Sequence, residues 1–162
     1  MNAVKKMLVG AALVGASFGA QAAVYDLGTL NAGYTDFEYS VSNGSFSDKI
    51  NFLLSGQGDT EYGAGPLNYV VGSKTYKNIN SLAMSLFDDG DHLLGTGLSF
   101  SLLGLSAGSY YLTVSGIANG INGGKYGGSI NVSPVPEAET YSMMLVGLGL
   151  IGFIAMRRRT NV

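Results

Sequence analysis

The stretch DKINFLLS, residues 48–55, decides the fold class, because polar and apolar side chains alternate along it. Ile50, Phe52 and Leu54 would share one face of an extended strand, since successive side chains of a strand point to opposite sides. The same period of two recurs in SLAMSLFD (81–88) and in GSYYLTVSG (108–116), and no sustained helical stripe interrupts residues 23–132. The pattern therefore predicts β-strands rather than helices.

Working outward from these three stretches, we find five more short candidate strands: AVYDLGTL (23–30), DFEYSV (36–41), LNYVVG (67–72), GLSFSLLG (97–104) and YGGSINVS (126–133). Glycine contributes 25 of the 162 residues, and only 12% are charged, which is typical of a β protein with glycine-rich turns. About eight short strands at this spacing predict an all-β fold, a small antiparallel β-sandwich. Without cysteine, this sandwich must rely on its core alone.

The first 22 residues have the pattern of a secretory signal peptide. Lys5 and Lys6 precede an apolar run of about a dozen residues, which is too short to span a bilayer as a helix. Ala20 and Ala22 follow it in the small-residue pattern that signal peptidase cuts, here before Ala23. We therefore expect a signal-peptide helix over residues 1–22, and export that requires the Sec translocon and signal peptidase.

The exported part is acidic. Residues 23–134 contain four lysines, nine acidic residues and no arginine, for a net charge of about −5. The lysines are scattered, whereas nucleic-acid binding needs clustered Lys or Arg side chains that neutralise phosphates. We therefore expect no nucleic-acid partner.

Three stretches in order, FSDKINFLLSG, SLFDDGDHLLG and LSAGSYYLTVSG, resemble the bacterial pre-peptidase C-terminal-like domains over roughly residues 46–116. Those domains are small jelly-roll sandwiches, so the resemblance implies a jelly-roll arrangement of the strands. It implies little about activity, because sandwiches host many functions.

Candidate chemistry in this region is sparse. DDGDH places Asp88, Asp89, Asp91 and the only histidine, His92, in one turn, and such carboxylates could bind calcium. The alternative, which we favour, is a solvated turn without metal. With one histidine, no cysteine and no G-x-S-x-G motif, the sequence predicts neither an enzyme nor a cofactor.

The C-terminal end carries sixteen residues without a charge, 141–156, followed by Arg157, Arg158 and Arg159. As a helix this run would be about 24 Å long. We expect a transmembrane helix over residues 141–156, with the arginines as a stop that keeps a tail of residues 157–162 in the cytoplasm. Pro134 and Pro136 predict a stiff linker over residues 134–140, after a sandwich domain at residues 23–133.

The order of a Pro-Glu pair, an apolar helix and a terminal arginine cluster closely resembles the PEP-CTERM protein-sorting signal. Here the motif reads Val135-Pro136-Glu137-Ala138, with alanine where a second proline is usual. The resemblance implies recognition by exosortase, a membrane transpeptidase-like enzyme of Gram-negative bacteria that make exopolysaccharide, and cleavage near the motif.

GSFSDKINF, residues 44–52, is similar to the Phe-x-Asp-x-Phe subgroup of these proteins. Phe46 and Asp48 match, and Ile50 replaces the second aromatic residue. From the residues alone, Phe46, Ile50 and Phe52 are predicted to lie in the core, and Asp48 is predicted to cap the entry of a strand.

These features predict a non-enzymatic exported protein, held at the inner membrane as an intermediate and then delivered to the cell envelope or the exopolysaccharide matrix. The alternative is a carbohydrate- or calcium-binding module, and a hydrolase is a third hypothesis. Six tyrosines are candidates for stacking on sugar rings, which exposed aromatic side chains can do: Tyr34, Tyr39, Tyr62, Tyr69, Tyr76 and Tyr126.

Overall fold

The computed structural model of the chain describes residues 20–135 and 138–159, and within them it has eleven strands and one helix. The strands are β1 (Val24–Leu30), β2 (Gly33–Val41), β3 (Gly44–Leu54), β4 (Gly58–Pro66), β5 (Tyr69–Val71), β6 (Lys74–Lys77), β7 (Ile79–Asp88), β8 (Leu93–Thr96), β9 (Ser99–Leu105), β10 (Gly108–Ala118) and β11 (Gly124–Pro134). The helix is α1 (Ala138–Arg159). The predicted signal-peptide helix falls largely on residues 1–19, outside the described residues.

Nine of these strands form two sheets. The five-stranded sheet has the order β1-β3-β10-β7-β8, and the four-stranded sheet has the order β2-β11-β4-β9. The chain crosses from one sheet to the other at each step from β1 to β4 and again at each step from β8 to β11, which is the arrangement of a jelly roll. The all-β prediction is confirmed, although the first pair, β1 with β3, is parallel rather than antiparallel.

The inner faces of the two sheets bury the side chains that the period of two selected. Ile50, Phe52 and Leu54 of β3 are buried, as are Leu112 and Val114 of β10. Across the interface, the four-stranded sheet contributes the aromatic and branched side chains of Phe37, Tyr62, Tyr126, Ile130 and Val132. Each large side chain buried in this way stabilises the fold by roughly 1.5–3 kcal/mol before entropy costs. The buried positions of β3 and β10 are therefore the ones that the period of two predicted.

Three strands were not predicted, and one predicted strand lies elsewhere. A hydropathy pattern does not detect β4, because its inner positions include Gly58 and Thr60. In the structure β4 nevertheless pairs with both β11 and β9. β6 and β8 have only four residues each. LNYVVG was predicted as a strand of the sandwich, but β5 instead pairs with β6 alone in an exposed two-stranded hairpin. An apolar run of this length does not distinguish a core strand from an exposed hairpin.

A helix does form at the C-terminal end, and it begins three residues before and ends three residues after the predicted range 141–156. Among the described residues, however, no helix is long and apolar enough to cross a membrane, so the prediction of a transmembrane helix is corrected. The uncharged run is about 24 Å long against a hydrocarbon core of about 30 Å, and three of its positions are glycines.

Candidate functional site

The C-terminal tail leaves the sandwich from an inner strand of the four-stranded sheet. β11 ends at Pro134, and the amide of Val135 donates to the Gln57 carbonyl oxygen, 3.4 Å away. The predicted motif residues Pro136 and Glu137 lie outside the described residues, and so do the side chains of Arg157, Arg158 and Arg159. Their predicted roles as sorting motif and membrane stop stay predictions.

Helix α1 exposes apolar side chains in every direction. Among its members with large exposed fractions are Met143, Leu145, Ile151 and Phe153, which lie on different sides of a helix. A helix that is apolar all round is normally covered by other apolar groups. The tail therefore needs apolar surroundings that the described part of the chain does not provide.

At the other end of the sandwich, the predicted cleavage residues lie along β3. The amide of Gln21 donates to the Ser45 carbonyl oxygen at 3.0 Å, so the pairing with β3 begins before β1 does. Ala23 is bound twice: its carbonyl oxygen accepts from the Lys49 amide at 2.8 Å, and its own amide donates to Asp48 Oδ1 at 3.0 Å.

Asp48 is the acceptor of that bond and lies inside the sandwich. It is only 1% exposed and sits in the middle of β3, so the prediction of a strand-entry cap is wrong. Its other oxygen, Oδ2, accepts the Tyr126 hydroxyl proton at 2.7 Å. A carboxylate at an inward position costs desolvation energy unless hydrogen bonds satisfy it, and these two bonds do so in part.

Aromatic rings enclose this carboxylate. Phe46 stacks on Tyr126 with ring centroids 5.6 Å apart, and Tyr25 stacks on Tyr39 at 3.5 Å. Burial, followed by the bond to Asp48, raises the pKa of Tyr126 far above its ordinary value. Burial and then the Asp48 charge raise the pKa of Tyr25, and burial, then Tyr25 and then Asp48 raise the pKa of Tyr39. All three rings therefore stay neutral across the ordinary pH range.

Hydrogen bonds within the acidic turn between β7 and β8 hold its side chains. Asp88 Oδ1 accepts the amide protons of Gly90 and His92, at 2.9 and 2.8 Å, and Oδ2 lies 3.0 Å from His92 Nδ1. The His92 amide, and then its ring, lowers the pKa of Asp88. Asp91 accepts the Tyr111 hydroxyl proton at 2.7 Å, whereas Asp89 is exposed. Within the described residues, no group of three potential ligands could hold a metal ion.

The six tyrosines selected from the sequence do not share one surface, although Tyr39 contacts Tyr126 with ring centroids 5.9 Å apart and Tyr69 contacts Tyr76 at 6.1 Å. Tyr62 and Tyr126 are in the core, Tyr39 and Tyr76 are half-buried, and Tyr34 and Tyr69 are exposed on different sheets. No common surface therefore joins them as a sugar-binding platform.

A different row of side chains crosses the outer face of the five-stranded sheet. Strand pairing places Asp26, Asn51, Tyr111 and Phe87 side by side on β1, β3, β10 and β7. The Phe87 and Tyr111 rings stack with centroids 5.1 Å apart and planes 11° from parallel. Sequence reasoning missed this row because its members come from four separate strands; the only local signal was an aromatic residue at an outward position of two predicted strands.

Three members of the row, Asp26, Asn51 and Tyr111, line an open groove of about 580 Å³. Lys49 Nζ lies 3.6 Å from the centroid of the Tyr111 ring, and Asp91 holds the hydroxyl of that ring from the neighbouring turn. The groove thus combines aromatic surface with carboxylate, amide and ammonium groups, which is the mixture of a site for a small polar ligand.

Comparison with known proteins identifies the tail. Residues 134–159 match the PEP-CTERM protein-sorting motif. This match confirms the sorting signal predicted from the Pro-Glu pair, the apolar helix and the arginine cluster. The Phe-x-Asp-x-Phe subgroup is not confirmed. A search of curated proteins finds no match to the chain.

Several solved structures are similar to the sandwich. The periplasmic inhibitor of g-type lysozyme PliG from Aeromonas hydrophila is 9% identical, with a TM-score of 0.47 over 69% of this chain and 99% of that one. The pre-peptidase C-terminal domain of collagenase from Bacillus anthracis is 17% identical, with a TM-score of 0.42 over 67% of this chain and 94% of that one. At such identities and scores, neither likeness says anything about activity.

Proposed function

We propose that the protein is a non-enzymatic exported protein that exosortase sorts through its C-terminal tail to the cell envelope or the exopolysaccharide matrix. The observation that carries this proposal is the match to the PEP-CTERM protein-sorting motif over residues 134–159, directly after the last strand of the sandwich. Signal peptidase and the Sec translocon would act first, on residues 1–22.

The exposed surface of α1 supports the same proposal. A helix with apolar side chains on all sides is stable only where other apolar groups cover it, and a membrane-bound processing enzyme offers such a site. The three arginines would add attraction to anionic lipid headgroups, worth about 1 kcal/mol each. The intermediate would thus wait at the inner membrane until the tail is cut.

The absence of catalysis is also part of the proposal. The only histidine lies in an exposed turn, where its Nδ1 is 3.0 Å from Asp88 and its backbone amide is bound to the same carboxylate. A histidine used in this way supports the turn. Incubating the purified protein with the exopolysaccharide and with peptide substrates should release no product, and release that is lost on His92→Ala would contradict this part.

The test of sorting compares the chain with two altered tails, each produced in a bacterium that has exosortase. Replacing Pro136 and Glu137 with alanine should trap uncut protein at the inner membrane, because the recognition element is lost while the apolar helix remains. Replacing Arg157, Arg158 and Arg159 with glutamine should release uncut protein, because the charge that holds the tail is lost. Intact-mass spectrometry of each cell fraction distinguishes the two outcomes.

The matched control removes positive charge elsewhere. Lys74→Gln with Lys77→Gln alters the exposed hairpin β5-β6 and should leave sorting and processing unchanged. If unaltered protein from the envelope retains residues 141–162, the tail is a permanent part of the protein and sorting by cleavage is wrong.

The groove on the five-stranded sheet favours a second candidate function, binding of a saccharide from the surrounding matrix. A saccharide would lie in the groove beside the exposed edge of the Tyr111 ring, with its hydroxyl groups near Asn51 and Asp26. Aromatic surface beside a few polar groups is how proteins commonly hold sugars and other small polar ligands.

Thermal unfolding of the chain from Ala23 to Val162, titrated with the exopolysaccharide of the producing bacterium, tests this candidate. A ligand that binds the native state must raise the melting temperature. Asn51→Ala and Asp26→Ala should abolish the rise, whereas Leu103→Ala, an exposed change on β9 of the other sheet, should not. No rise with the unaltered chain would exclude the groove as a site for this polysaccharide.

A further inference from the structure

The buried carboxylate of Asp48 has an unusual partner, the backbone nitrogen of Ala23. The two atoms lie 3.0 Å apart, and the carbonyl of the same residue is fixed by the Lys49 amide at 2.8 Å. Ala23 is also the residue that the sequence predicts to follow the signal-peptidase cut. The atom bound to Asp48 is therefore the one that cleavage would turn into the new N-terminus.

Among the described residues, no cationic side chain pairs with Asp48. The groups that face it from the neighbouring strands are the neutral tyrosines Tyr25, Tyr39 and Tyr126. The nearest lysine in sequence, Lys49, points to the outer face and lies over the Tyr111 ring, and Lys125 pairs with Glu38 at 2.6 Å. A carboxylate buried without a counter-ion is costly even when it accepts hydrogen bonds.

We propose that cleavage before Ala23 supplies the missing cation, so that the N-terminal ammonium group of the mature protein forms a partly buried ion pair with Asp48. Water cleaves the bond between Ala22 and Ala23: the Ala22 carbonyl carbon becomes the carboxylate of the released signal peptide. The Ala23 nitrogen takes up protons and becomes an ammonium group at neutral pH. The inference rests on the export step of the proposed function.

The consequence is that removal of the signal peptide adds a stabilising contact to the fold. In the precursor, the Ala23 nitrogen is an amide with one proton to donate, and it carries no charge. In the mature chain the same atom would be charged and would make a charge-assisted bond, which is roughly twice as strong as a neutral one. Tyr126 would hold the second oxygen of Asp48 and so keep the carboxylate aimed at the new N-terminus.

Cleavage also removes other contacts, and the experiment must separate these from the charge. Gln21 makes two backbone bonds to β3, with Ser45 and Ser47, and both are lost with the signal peptide. The decisive pair is therefore the chain from Ala23 to Val162 with a free N-terminus and the same chain acetylated at Ala23. Both lack Gln21, and they differ in the charge on one nitrogen.

We expect acetylation to lower the melting temperature at pH 6 by about 5 °C. In a chain with Asp48→Asn the same acetylation should change little, because the charge it removes has no partner. In a control chain with Asp36→Asn, an exposed position on β2, acetylation should lower the melting temperature as much as it does in the unaltered chain. Equal melting temperatures for the free and acetylated chains would overturn the proposal.

A second measurement decides the matter if the Asp48→Asn chain does not fold. The pKa of the Ala23 amine, followed by NMR, should lie above the value of about 8 that is usual for a chain end. Its stabilising effect would then be full below pH 8 and lost as the pH rises through the raised value. An amine that titrates at its ordinary value would contradict the ion pair.

N-terminal sequencing of the exported protein separates this inference from the proposed function. A start at Ala23 supports both. Export with a start at another residue would overturn the ion pair and leave sorting intact, whereas retention of residues 1–22 would overturn the export on which both rest.

Discussion

The sandwich contains the same hydrogen bond twice, once in its core and once on its surface. The Tyr126 hydroxyl donates to Asp48, and the Tyr111 hydroxyl donates to Asp91, both at 2.7 Å. The first pair is buried between the sheets, whereas the second stands at the edge of an open groove. Equal geometry here does not mean equal energy.

The difference lies in what happens when each bond is broken. At the surface, water replaces the lost partner, so the net contribution of the bond is small. In the core, Asp48 is shielded from solvent and would keep only the Ala23 nitrogen as a donor, so one oxygen of a buried carboxylate would be left unsatisfied. The pKa values follow the same division: burial is the first cause that raises the pKa of Tyr126, and the bond to Asp91 is the first for Tyr111.

The largest effect is expected when the buried bond is removed. Tyr126→Phe keeps the ring in its stack with Phe46 but deletes the hydroxyl group that Asp48 needs. We expect the free energy of unfolding to fall by about 3 kcal/mol, measured by urea denaturation at pH 7. A loss below 1 kcal/mol would show that water or another donor reaches Asp48.

A second, smaller effect comes from alkaline pH. Burial raises the pKa of Tyr62 to about 12, with the Thr60 side chain acting in the opposite direction. A tyrosine whose pKa is raised in the folded state stabilises the fold fully below pH 10, its ordinary value, and this contribution is lost as the pH rises to 12. We expect the melting temperature to fall steeply over that interval.

Tyr62→Phe should make this alkaline decline shallower. Within the described residues, the Tyr62 hydroxyl has no hydrogen-bond partner of good geometry, so its removal should change the free energy of unfolding at pH 7 by less than about 1 kcal/mol. Tyr34→Phe, an exposed control on β2, should leave the decline as it is. An unchanged decline in the Tyr62→Phe chain would contradict the assignment.

The third effect concerns the turn that carries Asp91. Asp88 accepts two amide protons and the His92 ring, whereas Asp89 of the same turn is exposed, so Asp88→Asn should lower the melting temperature more than Asp89→Asn. Because the pKa of Asp88 is lowered, its stabilising effect should be present at neutral pH and lost as the pH falls below about 4. Equal melting temperatures for the two variants would show that the network within the turn contributes nothing.

The smallest effect is expected at the surface bond itself. Tyr111→Phe keeps the ring between Lys49 and Phe87 and removes only the hydroxyl that Asp91 holds. The urea midpoint should stay within the error of the measurement. A loss as large as that of Tyr126→Phe would remove the distinction between the two bonds.

Much of the sandwich follows from the sequence, because alternation of polar and apolar residues is a local signal. Ile50, Phe52 and Leu54 share the buried face that the alternation predicts, and so do Leu112 and Val114. β4 was missed because glycine and threonine occupy its inner positions, and its place between β11 and β9 is fixed by backbone pairing, which leaves no mark in hydropathy.

Asp48 could in part have been recognised. Phe46, Asp48 and Ile50 occupy alternate positions, so an acidic residue stands on the face that the pattern assigns to the core. Its interpretation as a strand-entry cap was wrong because strand ends are poorly defined by sequence, and β3 begins four residues earlier, at Gly44. Its partners could not be predicted from local patterns, since Tyr126 lies 78 positions away and Ala23 lies 25 positions away in the sequence.

The sequence by itself determined the all-β class, the core positions of the strongest strands and the sorting signal, because each depends on a pattern of neighbouring residues. Only the tertiary structure decided that the predicted N-terminus meets a buried carboxylate, and that Phe87, Tyr111 and Asn51 form one row. The physical reason is that a sheet joins strands that are distant along the chain through backbone hydrogen bonds, and these bonds are nearly indifferent to the side chains they bring together.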